Sequence, residues 1–187
     1  KDTVTMAYNV TLNAAPVVTM GVDFSAFQCA AGQICVPYTA TDANGNITLE
    51  QLVSGPGSID TAANTVCFTP AGSGSYTIIV GATDACGLAD RDTIVVTVTA
   101  NGAPTIAFGN DTSLFLCQPI QVCMTYSVSD PNGMNKLTEV QVSGFGSIDT
   151  ANNRVCFTPS TAGVYDFIVS VTDSCGATDL DTIRATI

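Results

Sequence analysis

The sequence predicts an all-β protein: two tandem antiparallel β-sandwiches preceded by an extra N-terminal strand. Three observations carry that expectation. Residues 53–70 read VSGPGSIDTAANTVCFTP and residues 142–159 read VSGFGSIDTANNRVCFTP, identical at 15 of 18 positions, so the chain is a tandem array. Short runs of alternating apolar and polar residues recur between turn signals, and no segment has an apolar period of about 3.6. Finally, the 8 cysteines divide into four per repeat at matching positions, the mark of small disulfide-stapled domains in an oxidising compartment.

Residues 1–13 alternate strictly, with Val4, Met6, Tyr8, Val10 and Leu12 on one face and Thr3, Thr5, Ala7, Asn9 and Thr11 on the other. Such a pattern predicts a half-buried strand. Asp2-Thr3-Val4 echoes the closing strands that begin Asp92-Thr93-Ile94 and Asp181-Thr182-Ile183, and Asn13 and Asn101 both lead into Ala-Pro. The segment therefore reads as a closing strand that belongs to neither repeat. The expected organisation is this strand at 1–13, a first repeat at 14–101 and a second at 102–187.

Inside the first repeat, Ile34, Val36, Tyr38 and Ala40 alternate with Cys35, Pro37 and Thr39 and run into the turn Asp42-Ala43-Asn44-Gly45. The second repeat keeps the phase with Val122, Met124, Tyr126 and Val128. Residues 57–60 and 65–70 predict a hairpin across Thr61–Asn64. The next strand turns Tyr76, Ile78, Val80 and Ala82 inward (Tyr165, Phe167, Val169 and Val171 in the second repeat). The last turns in Ile94, Val96 and Val98, or Ile183, Ala185 and Ile187. Repeat spacing is 88 residues early in the unit and 89 later, which places one inserted residue near Met134-Asn135. The linker Ala100-Asn101-Gly102-Ala103-Pro104 is short and ends in proline.

Composition excludes whole classes of function. With 5 basic against 16 acidic residues and a net charge of −11, the chain lacks the clustered cations that nucleic acid or an anionic membrane requires. No apolar run approaches the length of a membrane span. Histidine is absent and no C-x2-C pair occurs, so a zinc centre is not expected.

A strand ending T-D-A-N-G, a G-S-I-D turn, F-T-P, Y-T-I-I-V-G-A-T-D-A-C-G and D-T-I-V-V-T-V-T, with A-P opening the next unit, resembles bacterial immunoglobulin-like and cadherin-like repeats. The Asp-Ala-Cys-Gly turn is similar to hyalin-type repeats. The resemblance implies an extracellular or cell-surface module of a stalk, adhesin or filament, with copies of itself or adjacent repeats as partners.

The aspartates are the first residues to weigh for chemistry. Asp42, Asp60, Asp84, Asp90 and Asp92 recur as Asp130, Asp149, Asp173, Asp179 and Asp181. Paired carboxylates serve glycoside hydrolysis, yet a catalytic pair duplicated in two small modules without His or Trp is not expected, and no enzyme is predicted. An Asp at a strand end caps its own turn. Oxygen ligands also suit Ca²⁺, and in cadherin-like repeats the matching aspartates bind calcium at the domain junction. The candidate ligands are Asp42, Asn44 and Asp84 in the first repeat and Asp130, Asn132 and Asp173 in the second, with Asn13 and Asn101 entering at the same ends. Because the linker lacks the run of acids such a junction uses, the expectation shrinks to one weak Ca²⁺ per junction, with turn capping as the default.

The cysteines are expected to be structural, all eight oxidised within their own repeats: Cys29, Cys35, Cys67 and Cys86, then Cys117, Cys123, Cys156 and Cys175. Strand phase favours Cys35–Cys67 with Cys29–Cys86, and the rival pairing is Cys29–Cys35 with Cys67–Cys86. Asn9, Asn46 and Asn110 open N-x-T glycosylation patterns. The predicted function is a structural module of an extracellular filament, stalk or adhesin that assembles head to tail through Val4, Met6, Tyr8, Val10 and Leu12. The strand is either donated to a neighbouring subunit or closes a preceding repeat of a longer chain. The alternative is a calcium-dependent or glycan-directed binding module; the absence of Trp weakens a glycan platform.

Overall fold

The computed structural model describes residues 2–133 and 137–187; the insertion expected near Met134-Asn135 lies outside them. The chain divides into two compact units, Lys1–Ala100 and Asn101–Ile187. Among the described residues every regular element is a strand. Unit 1 holds β1 (Val17–Thr19), β2 (Phe24–Gln28), β3 (Ile34–Pro37), β4 (Thr39–Thr41), β5 (Ile47–Ser54), β6 (Ser58–Asp60), β7 (Thr65–Phe68), β8 (Gly74–Asp84) and β9 (Ala89–Ala100). Unit 2 holds β10 (Thr105–Phe108), β11 (Thr112–Ser113), β12 (Val122–Ser129), β13 (Thr138–Ser143), β14 (Ser147–Asp149), β15 (Arg154–Phe157), β16 (Val164–Thr172) and β17 (Thr178–Thr186).

Each unit is a sandwich of two sheets. In unit 2 the orders are β10-β12-β15-β14 and β11-β17-β16-β13. Unit 1 repeats them as β1-β4 with β3-β7-β6, and β2-β9-β8-β5. Its first sheet is in two pieces, the run from β3 to β4 being interrupted at Tyr38, beside a proline that has no N–H to donate. The two inner faces supply the core. Val36, Tyr38, Val66, Ile78, Val80, Val96 and Val98 are buried together in unit 1; Met124, Tyr126, Val155, Phe167, Val169 and Val171 are buried in unit 2. Val66 and Val155 apart, these are the residues whose phase the alternation predicted, and each large one buried contributes about 1.5–3 kcal/mol.

The structure adds detail to two sequence expectations. The sandwiches are antiparallel as expected in most pairings, while β2 runs parallel to β9 and β11 parallel to β17. The opening stretch of unit 1 first pairs with β4, from Val17↔Thr41 to Thr19↔Thr39. It then turns at Gly21 (φ +91°) and lies against β9 of the other sheet, serving both sheets in one pass. The second concerns residues 1–13. Residues 2–13 form no strand, and Val4, Met6, Tyr8, Val10 and Leu12 are all exposed. Alternation makes a segment competent to pair, but a ladder needs a second backbone. Among the described residues none pairs with this one.

The doubled stretch owes its near-identity to a tight turn. At Gly57 (φ +93°) an added Cβ would lie 2.2 Å from the Cys67 carbonyl oxygen, and at Gly146 it would lie 2.3 Å from that of Cys156. Glycine alone fits there. The turn delivers β6 onto β7 with Ser58↔Cys67, Ile59↔Val66 and Asp60↔Thr65, which is the predicted hairpin.

Candidate functional site

The residues singled out in the sequence gather at one end of each unit. In unit 1, Asn13 donates through Nδ2 to Asp84 Oδ2 at 2.6 Å and accepts at Oδ1 from Asn46 Nδ2 at 2.8 Å. Asp84 Oδ1 receives the backbone N–H groups of Cys86 and Leu88, both at 2.9 Å. The Ala14 N–H reaches Asn44 Oδ1 at 2.8 Å, and Asp42 Oδ1 accepts from the Asn44 N–H at 2.7 Å. The cluster therefore ties the segment entering at Asn13 to two turns, 42–45 and 84–88.

Unit 2 builds the same arrangement. Asn101 Nδ2 donates to Asp173 Oδ2 at 2.6 Å, Asp173 Oδ1 accepts from the N–H groups of Cys175 and Ala177, and Asp130 Oδ1 accepts from the Asn132 N–H. Asn132 Oδ1 accepts from the Gly102 N–H. The side-chain amide of Asn13 is the leading cause that holds the Asp84 carboxyl below its ordinary 3.8, and Asn101 does the same for Asp173. Donors converging on a carboxylate favour its charged form.

These geometries separate two kinds of aspartate. Both oxygens of Asp84, which is 2% exposed, are spent on N–H donors, so this side chain acts as a turn cap. Asp42 Oδ2, Asn46 Oδ1 and Asp130 Oδ2 are buried acceptors with no hydrogen-bond donor. Buried polar atoms are nearly always satisfied, so these three mark where oxygen ligands are left over. Among the described residues no group of three or more His, Cys, Asp or Glu side chains converges as a metal centre. Any cation there would lean on amide and backbone oxygens.

Sequence reasoning missed what Asp90, Asp92, Asp179 and Asp181 do. Asp90 Oδ2 accepts from the Val18 N–H at 2.9 Å and Asp92 Oδ2 from the Met20 N–H at 2.8 Å. Asp179 and Asp181 take the N–H groups of Ile106 and Phe108 at 2.9 and 2.7 Å. Carboxylates on β9 and β17 thus satisfy the outward N–H groups of β1 and β10, which have no strand on that side. The signal was an Asp-x-Asp at the start of each closing strand. Nothing local shows what lies opposite it.

The cysteines correct a further expectation. Cys35–Cys67 and Cys123–Cys156 are disulfides with Cα–Cα distances of 4.1 Å, joining directly opposed residues of neighbouring strands. That supports the favoured bridge and removes the rival Cys29–Cys35 with Cys67–Cys86. Cys86 and Cys117, however, are free and exposed, so the eight cysteines are not all oxidised within their own repeats. The reason is distance. Gln28, beside Cys29, pairs with Ala100, whereas Cys86 precedes Ala89 at the other end of the 12-residue β9. At about 3.3 Å per residue the gap is about 36 Å, and a disulfide cannot bridge Cα atoms more than about 7 Å apart. Cys117 and Cys175 are separated in the same way along β17.

Burial raises the Tyr38 and Tyr126 hydroxyls far above 10.0, helped by hydrogen bonds they donate to Glu50 and Glu139. They are core residues with a satisfied polar tip.

The architecture is shared with cadherin ectodomains. Protocadherin gamma B7 EC3-6, in a cis-dimer structure, superposes over 94% of this chain and 52% of its own with a TM-score of 0.61 and 13% identity. Protocadherin gamma B2 extracellular cadherin domains 3–6 give 0.59 at 14% identity over 92% and 51%. Mouse cadherin-23 EC22-24 gives 0.58 at 18% identity over 92% and 64%. The fold is that of cadherin-like repeats. In sequence, these repeats resemble the serine-rich adhesin for platelets of Staphylococcus aureus. The proteins of strains MSSA476 and MW2 are 30% identical over 177 residues, which is 91% of this chain and 8% of the relative. The chain thus spans less than a tenth of the length of those relatives. No family model matches. The disulfides and the resemblance to an adhesin make this an extracellular or cell-surface protein. Among the described residues no helix is long and apolar enough to cross a membrane.

Proposed function

We propose that this chain is a structural module of an extracellular filament, stalk or adhesin, with repeats at 14–101 and 102–187, joined head to tail through residues 2–12. One observation carries the reading. Counting back from the shared junctions Asn13-Ala14-Ala15-Pro16 and Asn101-Gly102-Ala103-Pro104 sets Met6, Tyr8 and Val10 at the positions of Ile94, Val96 and Val98. Those three are buried in β9, while Met6, Tyr8 and Val10 are 70%, 80% and 82% exposed. Apolar surface of this extent calls for a partner, and an unpaired extended backbone is a template for strand addition. The partner is the sheet of a neighbouring sandwich, in another copy or in a preceding repeat of a longer chain. A contact of this kind joins unlike surfaces and does not close, so it propagates. Its function is mechanical and adhesive rather than catalytic.

The test compares the full chain with residues 14–187 by electron microscopy and light scattering. Polymers from the full chain alone, capped by a synthetic peptide of residues 1–13, support strand addition. A full chain that stays monomeric with the segment packed on its own first sandwich overturns it.

A second reading rests on the orphaned acceptors of Asp42, Asn46 and Asp130. These oxygens suit one weakly held Ca²⁺ per unit, with Asn44 and Asn132 in the same turns and Asp84 and Asp173 as caps beside them. Millimolar Ca²⁺ then raises the melting temperature by mass action, and Asp42→Ala with Asp130→Ala removes the rise. An identical melting curve in chelator returns the cluster to turn capping alone.

A further inference from the structure

The two free thiols occupy complementary places. Cys86 lies in the turn after β8, where its N–H bonds Asp84, the same carboxylate that holds Asn13. It is therefore at the entry end of unit 1, beside the root of the exposed apolar segment. Cys117 lies at the other end of its own unit. Three residues before it, the Leu114 N–H donates to the Thr186 carbonyl at 2.8 Å, where β17 runs out. Here Cys117 helps to line an open cleft of about 250 Å³ with Phe115, Leu116, Pro119, Pro159 and Ile187. Phe115 stands 92% exposed at its edge. One end thus offers an apolar segment next to a thiol, and the other an apolar cleft next to a thiol.

The repeat supplies a second observation. Cys86 corresponds to Cys175 and Cys117 to Cys29, and both of those equivalents are disulfide-bonded. The positions are therefore bond-forming in this fold. Neither thiol can find its partner within its own unit, across about 26 Å or more of strand, and an exposed unpaired cysteine in an oxidising compartment points to intermolecular pairing.

We propose that Cys117 of one copy of this chain bonds Cys86 of the next, so that the head-to-tail contact is locked by one disulfide per junction. The inference rests on the head-to-tail reading and adds a covalent bond to it. The chemistry is thiol–disulfide exchange with a low-molecular-weight disulfide as oxidant. The Cys117 thiolate attacks the small disulfide and expels one small thiolate. The Cys86 thiolate of the next copy then attacks the Cys117 sulfur of that mixed disulfide and expels the second. Two protein thiols lose two protons and two electrons, and the small disulfide is reduced to two thiols. Apolar docking of residues 4–12 in the cleft end raises the effective concentration of the two sulfurs.

The experiment oxidises the full chain with glutathione disulfide and reads it on a non-reducing gel with peptide mapping. The expected result is a ladder whose cross-linked peptide joins Cys86 to Cys117. Cys86→Ser and Cys117→Ser each lose the ladder, and their equimolar mixture yields dimer and nothing longer. A wild-type monomer with both thiols still reacting with maleimide overturns the proposal, as do symmetric Cys86–Cys86 or Cys117–Cys117 links. Two further variants separate this failure from failure of the strand reading. If the Cys86→Ser/Cys117→Ser chain still associates by light scattering while the wild type gives no ladder, the disulfide is wrong and strand addition survives. If the ladder forms equally in a full chain carrying Met6→Asp and Val10→Asp, the disulfide stands and the strand reading falls.

Discussion

Strand β9 and residues 2–12 carry the same alternation and end in opposite states. Ile94, Val96 and Val98 are sealed between two sheets, whereas Met6, Tyr8 and Val10 face solvent. The difference is not in propensity, since both segments are β-branched or large apolar at alternate positions. It lies in what stands on either side. β9 has β8 antiparallel on one flank and β2 parallel on the other, while residues 2–12 have neither. Side-chain pattern makes a strand possible, and a neighbouring backbone makes it one.

The largest expected effect breaks the comparison at its buried end. Ile94→Ala leaves a hole in the unit 1 core and should lower the unfolding free energy by about 2–5 kcal/mol. Met6→Ala in the same chain should change it by less than about 0.5 kcal/mol. Denaturant unfolding of the dilute protein reads both. A large loss from Met6→Ala would mean that the segment is already packed within the molecule.

Replacing Cys35 and Cys67 together by Ala opens a loop of 32 residues and should cost about 3–4 kcal/mol. Cys86→Ser, by contrast, should leave the midpoint of the monomer unchanged. Calorimetry without reductant, on monomer whose exposed thiols are blocked so that Cys35–Cys67 stays intact, separates a bond that holds one sandwich together from one that joins sandwiches.

pH probes the entry end, where the two segments part company. Asp84 and Asp173 have folded values below the ordinary 3.8. Their contribution is therefore fully present above that pH and is lost as pH falls through the depressed values. Tyr38 and Tyr126 are raised above 10.0, so the unfolded chain ionises first and stability declines as pH climbs past 10. A stability profile flat between these limits, with the acid limb diminished in Asn13→Ala, is the expected result. The same acid limb in Asn13→Ala would disconnect that amide from the Asp84 shift.

The smallest effect is on the stability of the dilute monomer. Met6→Asp with Val10→Asp should leave the melting temperature within about a degree, consistent with a substitution at exposed sites, while abolishing any self-association seen by light scattering.

How much of this was legible in the sequence differs from residue to residue. Ile78, Val80, Val96 and Val169 were placed inside by phase alone, because period 2 assigns a face without knowledge of the partner. Cys35 and Cys67 could be matched because both strands were recognisable and their phases agreed. The Gly57 turn was visible through its duplication. The entry cluster was partly readable: Asn13, Asn44 and Asp84 were grouped from the expected order of turns, but Asn46 was not. Its side chain reaches Asn13 only once two loops far apart in sequence are brought together.

Local sequence alone determined that this is a duplicated β-protein with a fixed set of inward residues, since alternation and repetition are properties of the chain itself. The tertiary structure decided the rest, because each remaining feature depends on what sits opposite a residue. It set β2 and β11 parallel to the closing strands. It turned Asp90 and Asp92 into acceptors for the Val18 and Met20 N–H groups. It put Cys86 out of reach of Cys29 by the length of β9, and it left Val4 through Leu12 without a ladder.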